Sequence, residues 1–103
     1  MKYLVGETAQ GTAVFAVTGE NAVNLTALDP RVGSDLMGLI AHPELRESLT
    51  SQMDSAPSVP LTSITPALPV AAPPTIICMG LNYTDHIKEG GYDIADYPAL
   101  FMR

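Results

Sequence analysis

The chain is poor in positive charge, holds a single cysteine and has no long hydrophobic run, and each shortage argues against a class of function. Its 103 residues carry 5 lysines and arginines against 11 aspartates and glutamates, a formal charge of −6. No cluster of basic residues occurs along it, which argues against a phosphate-tracking surface and so against a nucleic-acid partner. The lone Cys78 lies within an apolar run, cannot close an intramolecular disulfide and reads as a buried strand residue in a reducing compartment. No stretch approaches the roughly 20 apolar residues that span a bilayer. The opening Met1-Lys2-Tyr3-Leu4-Val5-Gly6 meets an acid before it can build the apolar centre of a signal peptide. A cytoplasmic protein with no membrane partner is the expectation.

What is present suffices for a modest core, since 47% of the residues are hydrophobic. Three strand-like runs come first: Tyr3 to Val5, Thr12 to Val17 after a turn at Gln10-Gly11, and Ala22 to Leu28 after Thr18-Gly19-Glu20-Asn21. They predict a β-meander that Asp29-Pro30 ends. In the third run, period two sets Val23, Leu25 and Ala27 on one face and Asn24 and Thr26 on the other. Ser34 is then a candidate N-cap for a helix over Asp35–Ile40, with Asp35 in its first turn. Pro43 suits the first turn of a second helix in which Leu45, Leu49 and Met53 share a side. His42, alone beside that proline, reads as a surface or capping histidine.

The composition shifts at Ser55. Pro57, Pro60, Pro66, Pro69, Pro73 and Pro74 forbid a central strand or a long helix and stiffen the chain, predicting an extended connector with an edge strand near Leu61 to Ile64. Thr75 to Met79 follows as a continuous apolar strand that asks for burial on both sides. The organisation expected is a small α+β amino-terminal domain over 1–55, a proline-rich connector over 56–74 and a further domain beginning at 75.

Chemistry concentrates after that strand. Gly80 lets the backbone turn, Thr84 or Asp85 can cap a short helix, and Gly90-Gly91 stops it. On such a helix His86 and Glu89 are neighbours at i, i+3. Glu89 can then hold one imidazole N–H while the other nitrogen faces a water or substrate, the arrangement that fixes a histidine tautomer for acid–base work. A helix of one to two turns flanked by glycines suits a lid that closes over a ligand. Asn82 and Tyr83 at the strand end are candidate substrate-binding groups, Asn82 reading equally as a turn former and Tyr83 as packing. Lys88 and Arg103 are candidate anion contacts, with ordinary solvated charge the commoner reading of each. Asp85, Glu89, Asp93 and Asp96 are too loosely spaced for a hard-cation site, so no metal ligand is assigned.

Three pieces of this sequence, Ile76-Ile77-Cys78-Met79-Gly80-Leu81-Asn82-Tyr83, Asp85-His86 with Glu89, and Tyr97-Pro98-Ala99-Leu100-Phe101, together resemble the fumarylacetoacetate hydrolase family. The last is similar to its Pro-x-Leu-Phe element. The resemblance implies a metal-dependent enzyme, commonly using Mg²⁺ or Mn²⁺, that cleaves a carbon–carbon bond in an acylpyruvate-like keto acid, or decarboxylates or isomerises it, as in aromatic catabolism. By position, His86 and Glu89 inherit the proton-moving roles; Asn82, Tyr83 and Arg103 remain the candidate substrate-binding residues. The metal carboxylates of the family lie downstream of the stretch resembled. The fold implied is α+β: the meander with two short helices, then the first strand and lid helix of a mostly-β catalytic domain, in a protein that forms a homodimer at full length.

Where the sequence stops, at Phe101-Met102-Arg103, the family element is incomplete and a lysine is commoner than Arg103. The chain is therefore expected to be a truncated piece, inactive by itself. Two other classes stay open: an interaction or dimer-supporting module that packs on a missing catalytic domain, and a ligand-binding protein without turnover.

Overall fold

Glycines at two tight turns fold the first strands back on themselves. In the computed structural model, which describes residues 1–80, 83–93 and 96–103, β1 (Lys2–Thr8) pairs antiparallel with β2 (Gly11–Thr18), and β2 with β3 (Asn21–Asn24). Gly11 and Gly19 take φ of 112° and 60°, conformations that side chains resist, and Val5 sits opposite Val14 and Ala16 opposite Val23. The β-meander expected from the sequence is present. By their internal contacts the described residues divide into two compact units, Met1–Ala71 and Ala72–Arg103.

In the first unit β2 is covered on both sides. Val14 and Ala16 face a cluster built with Val5, Leu25, Val32, Leu39, Leu45 and Leu49. Ala13 and Phe15 face a second cluster with Ala22 and Ile64. A strand buried on both faces must be apolar at every position, as Ala13-Val14-Phe15-Ala16 is. Helix α3 (Leu45–Met53) presents Leu45, Leu49 and Met53 to the first cluster, as their spacing of four predicts.

The third strand is shorter than its composition predicts. It stops at Asn24, whose side-chain Oδ1 accepts the Ala27 N–H at 3.0 Å and starts a one-turn helix α1 (Leu25–Leu28). Thr26, expected to point outward from a strand, instead turns its hydroxyl onto β2: Oγ1 accepts the Val14 N–H at 3.0 Å and donates to the Gly33 carbonyl at 2.6 Å. β3 ends opposite Phe15, so the hydroxyl supplies the partner that the next N–H of β2 lacks. Asp29 then caps a 3₁₀ turn over Pro30–Val32 and grips Arg31 with both carboxylate oxygens, at 3.1 and 2.8 Å.

The next helix also departs from expectation. It spans Met37–Ala41 (α2) with Leu36 at the N-cap, and the side chain that reaches its first N–H is that of Asp35 rather than Ser34. One oxygen of Asp35 accepts the Met37 N–H at 2.9 Å and the other accepts the Ala71 N–H at 3.3 Å. A carboxylate serves two donors where a serine hydroxyl accepts with one oxygen.

The proline-rich stretch, expected as a connector over 56–74, contributes to the sheet. β4 (Ser58–Pro60) pairs with β3 and β5 (Thr65–Pro66) with β1, giving the order β4-β3-β2-β1-β5. The edge strand expected at Leu61 to Ile64 is instead a 3₁₀ turn over Leu61–Ser63, and the true edge strands flank it. Proline is tolerated there because one side of an edge strand needs no donor. Between the two edges the chain lays Ile64 against Gly6, where a Cβ would collide with the Ile64 methyl.

In the second unit β6 (Ile77–Gly80) pairs antiparallel with β7 (Ala99–Met102), in the register Cys78 to Phe101 and Met79 to Leu100. Ile76 and Arg103 exchange both backbone bonds at the open end, at 3.0 and 2.9 Å. Burial on both sides, expected of Thr75 to Met79, is not observed. Ile77 is 69% and Met102 74% exposed, because the described strands of this unit form only a two-stranded ribbon, and Cys78, expected to be buried, is half-buried. Helix α4 (Thr84–Glu89) follows β6 in sequence. No described helix is long and apolar enough to cross a membrane.

Two outcomes follow from these contacts. Thr26→Val removes both hydroxyl bonds and strands the Val14 N–H in a fully buried residue, so urea unfolding is expected to show a loss of about 1–3 kcal/mol, with Thr26→Ser recovering most of it. Wild-type stability in Thr26→Val would refute the bridge. The Arg31 fork holds the Asp29 carboxyl below its usual range. A carboxyl depressed in the folded state stabilises above its unfolded pKa, and that contribution fades as pH falls through the folded value. An NMR titration of Arg31→Ala is expected to return Asp29 upward toward the ordinary carboxylate value.

Candidate functional site

Helix α4 is six residues long, too short to persist by propensity, and its geometry is set by its ends. Tyr83 occupies the N-cap in an extended conformation with no side-chain cap bond, so the cap expected from Thr84 or Asp85 is not used. Asp85 remains in the first turn, where its charge complements the helix dipole. At the other end Gly91, at φ 69°, reverses the chain. Its N–H donates to the Lys88 carbonyl and the Tyr92 N–H to the Ile87 carbonyl, each at 3.1 Å, the paired bonds of a Schellman closure. Ile87 is the helix's buried residue, at 7% exposure.

His86 and Glu89 therefore stand on one short helix at the spacing the sequence predicts, and both side chains are exposed. Among the described residues no hydrogen bond or ion pair joins them. Tyr83 is 75% exposed at the helix start, and Arg103, also exposed, closes the ribbon through its backbone. Asn82 lies outside the described residues. Among the described residues no three of His, Cys, Asp and Glu converge to hold a metal ion. His42 does the structural work expected of it: it caps α2 at its C-terminus and its Nδ1 lies 3.2 Å from Glu44 Oε1. The anchoring part of Tyr92 was missed in the sequence, although a residue following Gly90-Gly91 is where such a closure places its last donor.

No family model matches the chain. Over 90 residues, 82% of its length, it is 29% identical to the mitochondrial oxaloacetate tautomerase FAHD2A of Homo sapiens and 28% identical to the fumarylacetoacetate hydrolase domain-containing protein 2 of Pongo abelii. The chain is thus similar, over most of its own length, to a fumarylacetoacetate hydrolase domain-containing protein. It spans 28% of the length of each of these relatives. The fold is shared with the crystal structure of a candidate HpcE protein from Mycobacterium smegmatis, at a TM-score of 0.70 and 24% identity, covering 98% of this chain and 35% of that one. The resemblance to the fumarylacetoacetate hydrolase family thus extends well beyond the motifs of residues 76–101, into the meander and its helices.

The geometry of α4 makes a test of its own. Gly91→Ala forces a side chain into a left-handed conformation at a cost of about 1–2 kcal/mol. Amide exchange at Gly90 and Tyr92 is expected to accelerate about tenfold, with that in β2 unchanged. Unaltered exchange there would show that the closure does not hold α4.

Proposed function

We propose that the chain is the amino-terminal part of a metal-dependent enzyme of the fumarylacetoacetate hydrolase family that acts on an acylpyruvate-like keto acid, with His86 and Glu89 as its proton-moving pair. The observation that carries this reading is the pair itself, set at i, i+3 on α4 within a family-related chain. Among carbon–carbon cleavage, decarboxylation and isomerisation, the relatives named oxaloacetate tautomerase favour isomerisation of the keto acid.

In that reaction the imidazole of His86 takes a proton from the carbon beside the ketone, the C–H electron pair becomes the enolate double bond, and the same proton is delivered to the enolate oxygen. Bonds and charge balance without an oxidant or a water. Glu89 orients the ring and stabilises its protonated form during the transfer. Contacts of this kind are often long in a free site and tighten when substrate closes on them, in keeping with the separated, exposed pair of α4. Asn82, Tyr83 and Arg103 are the groups proposed to bind the substrate. The Mg²⁺ or Mn²⁺ of the family finds no fitting ligand set among the described residues, and its carboxylates are proposed to lie outside this chain. A homodimer and a cytoplasmic location complete the proposal.

A second reading is favoured by the closed core of Met1–Ala71, which equips that unit to serve as an interaction or dimer-supporting module. One set of variants separates the two. In the full-length protein with saturating Mg²⁺, His86→Ala and Glu89→Gln are each expected to lower kcat by about 10²–10⁴, and the double variant to match the worse single one, as groups acting as a unit do. Strictly additive losses, or a His86→Ala protein at near wild-type rate, would leave the module reading in possession.

A further inference from the structure

We propose that Tyr92 is a positioning residue of the candidate site, its ring and backbone together holding the last turn of α4 and so the placement of His86 and Glu89; this rests on the reading above. Three observations carry it. The Tyr92 N–H bonds to the backbone carbonyl of Ile87 at 3.1 Å, tying the residue to the backbone of the one buried position of the helix. The Gly90 N–H bonds to the His86 carbonyl at 3.1 Å, so Gly90 closes the turn that starts at the histidine and contains Glu89. The Tyr92 ring lies across Gly90: a Cβ there would come within 2.7 Å of ring atoms Cδ2 and Cε2.

Gly90 has an ordinary helical backbone, φ −77° and ψ −7°, so its lack of a side chain answers to the ring and not to a backbone requirement. Tyr92 is nonetheless 62% exposed, and its ring is spent on this turn rather than on a core. A six-residue helix with one buried residue has little else to hold it. The fraction of molecules with His86 and Glu89 in register therefore follows the contact between ring and glycine, and the turnover rate follows that fraction.

The contact has a signature that helix propensity alone does not produce. Alanine is a better helix former than glycine. With Tyr92 present, Gly90→Ala displaces the ring and is expected to speed amide exchange at residues 90–92. In a Tyr92→Ala background, where no ring is in the way, the same change is expected to slow it. Tyr92→Ala alone should speed exchange about tenfold, and Tyr92→Phe should behave as wild type, because the ring carbons make the contact. In the full-length enzyme Tyr92→Ala is expected to lower kcat about tenfold while KM stays within about twofold, since the pair moves protons and does not hold the substrate. Tyr92→Phe restores kcat.

Equal effects of Gly90→Ala in both backgrounds would overturn the proposal, as would fast exchange in Tyr92→Ala with kcat unchanged. A wild-type protein without turnover on keto acids counts against the proposed activity; the sign reversal at Gly90 still decides whether Tyr92 holds the turn.

Discussion

The Thr26 hydroxyl is the point on which the first unit depends. A central strand flanked by a shorter one always leaves N–H groups beyond the end of its neighbour, and in a strand buried on both faces no water can reach them. Here the neighbour β3 ends at Asn24, and the chain turns into α1 so that Thr26 satisfies the Val14 N–H while bonding the Gly33 carbonyl. That exchange of a ladder partner for a hydroxyl frees the chain to leave the sheet. The segment that departs supplies Leu25 and Val32, and the helices that follow supply Leu39, Leu45 and Leu49, which together cover one face of β2.

The second unit is organised differently. Its ribbon is held by backbone pairing and leaves Ile77, Leu100 and Met102 open to solvent, while α4 is held by the closure at Gly91 and Tyr92 and by one buried side chain. Where the first unit is stabilised by burial, the second relies on local geometry. Elements with few buried apolar contacts sit at the low end of the stability range within a protein.

Much of this was legible in the sequence. Gly11 and Gly19 announced the meander, and the spacing of Leu45, Leu49 and Met53 announced α3, because both signals are local. The misread elements depended on distant partners. Ala22 to Leu28 alternates like a strand, and only the unmet N–H of Val14, on another strand, makes a helix at Leu25 the better solution. Ser34 is a good cap by type, but Asp35 can serve an amide from the other end of the unit at Ala71 as well as its own helix. Prolines showed that residues 58–66 could not be central in a sheet, without showing that they would line both of its edges. At the site, His86 and Glu89 were legible as a pair through motif and spacing. The absence of a bond between their side chains was not, since that turns on rotamers rather than on sequence positions.

The path of residues 58–66 has a further consequence. Because one short segment pairs with β3 at one margin and β1 at the other, it works as a strap whose two ends hem the sheet. Both margins are thereby formed by short strands that each contain a proline, Pro60 in β4 and Pro66 in β5, contributed by a single stretch of chain. A protease cut between Leu61 and Ile64 would loosen both hems together, baring the backbone groups of β3 and β1 that β4 and β5 now pair. The blunting of both margins by short proline-bearing strands thus hangs on one turn, Leu61–Ser63.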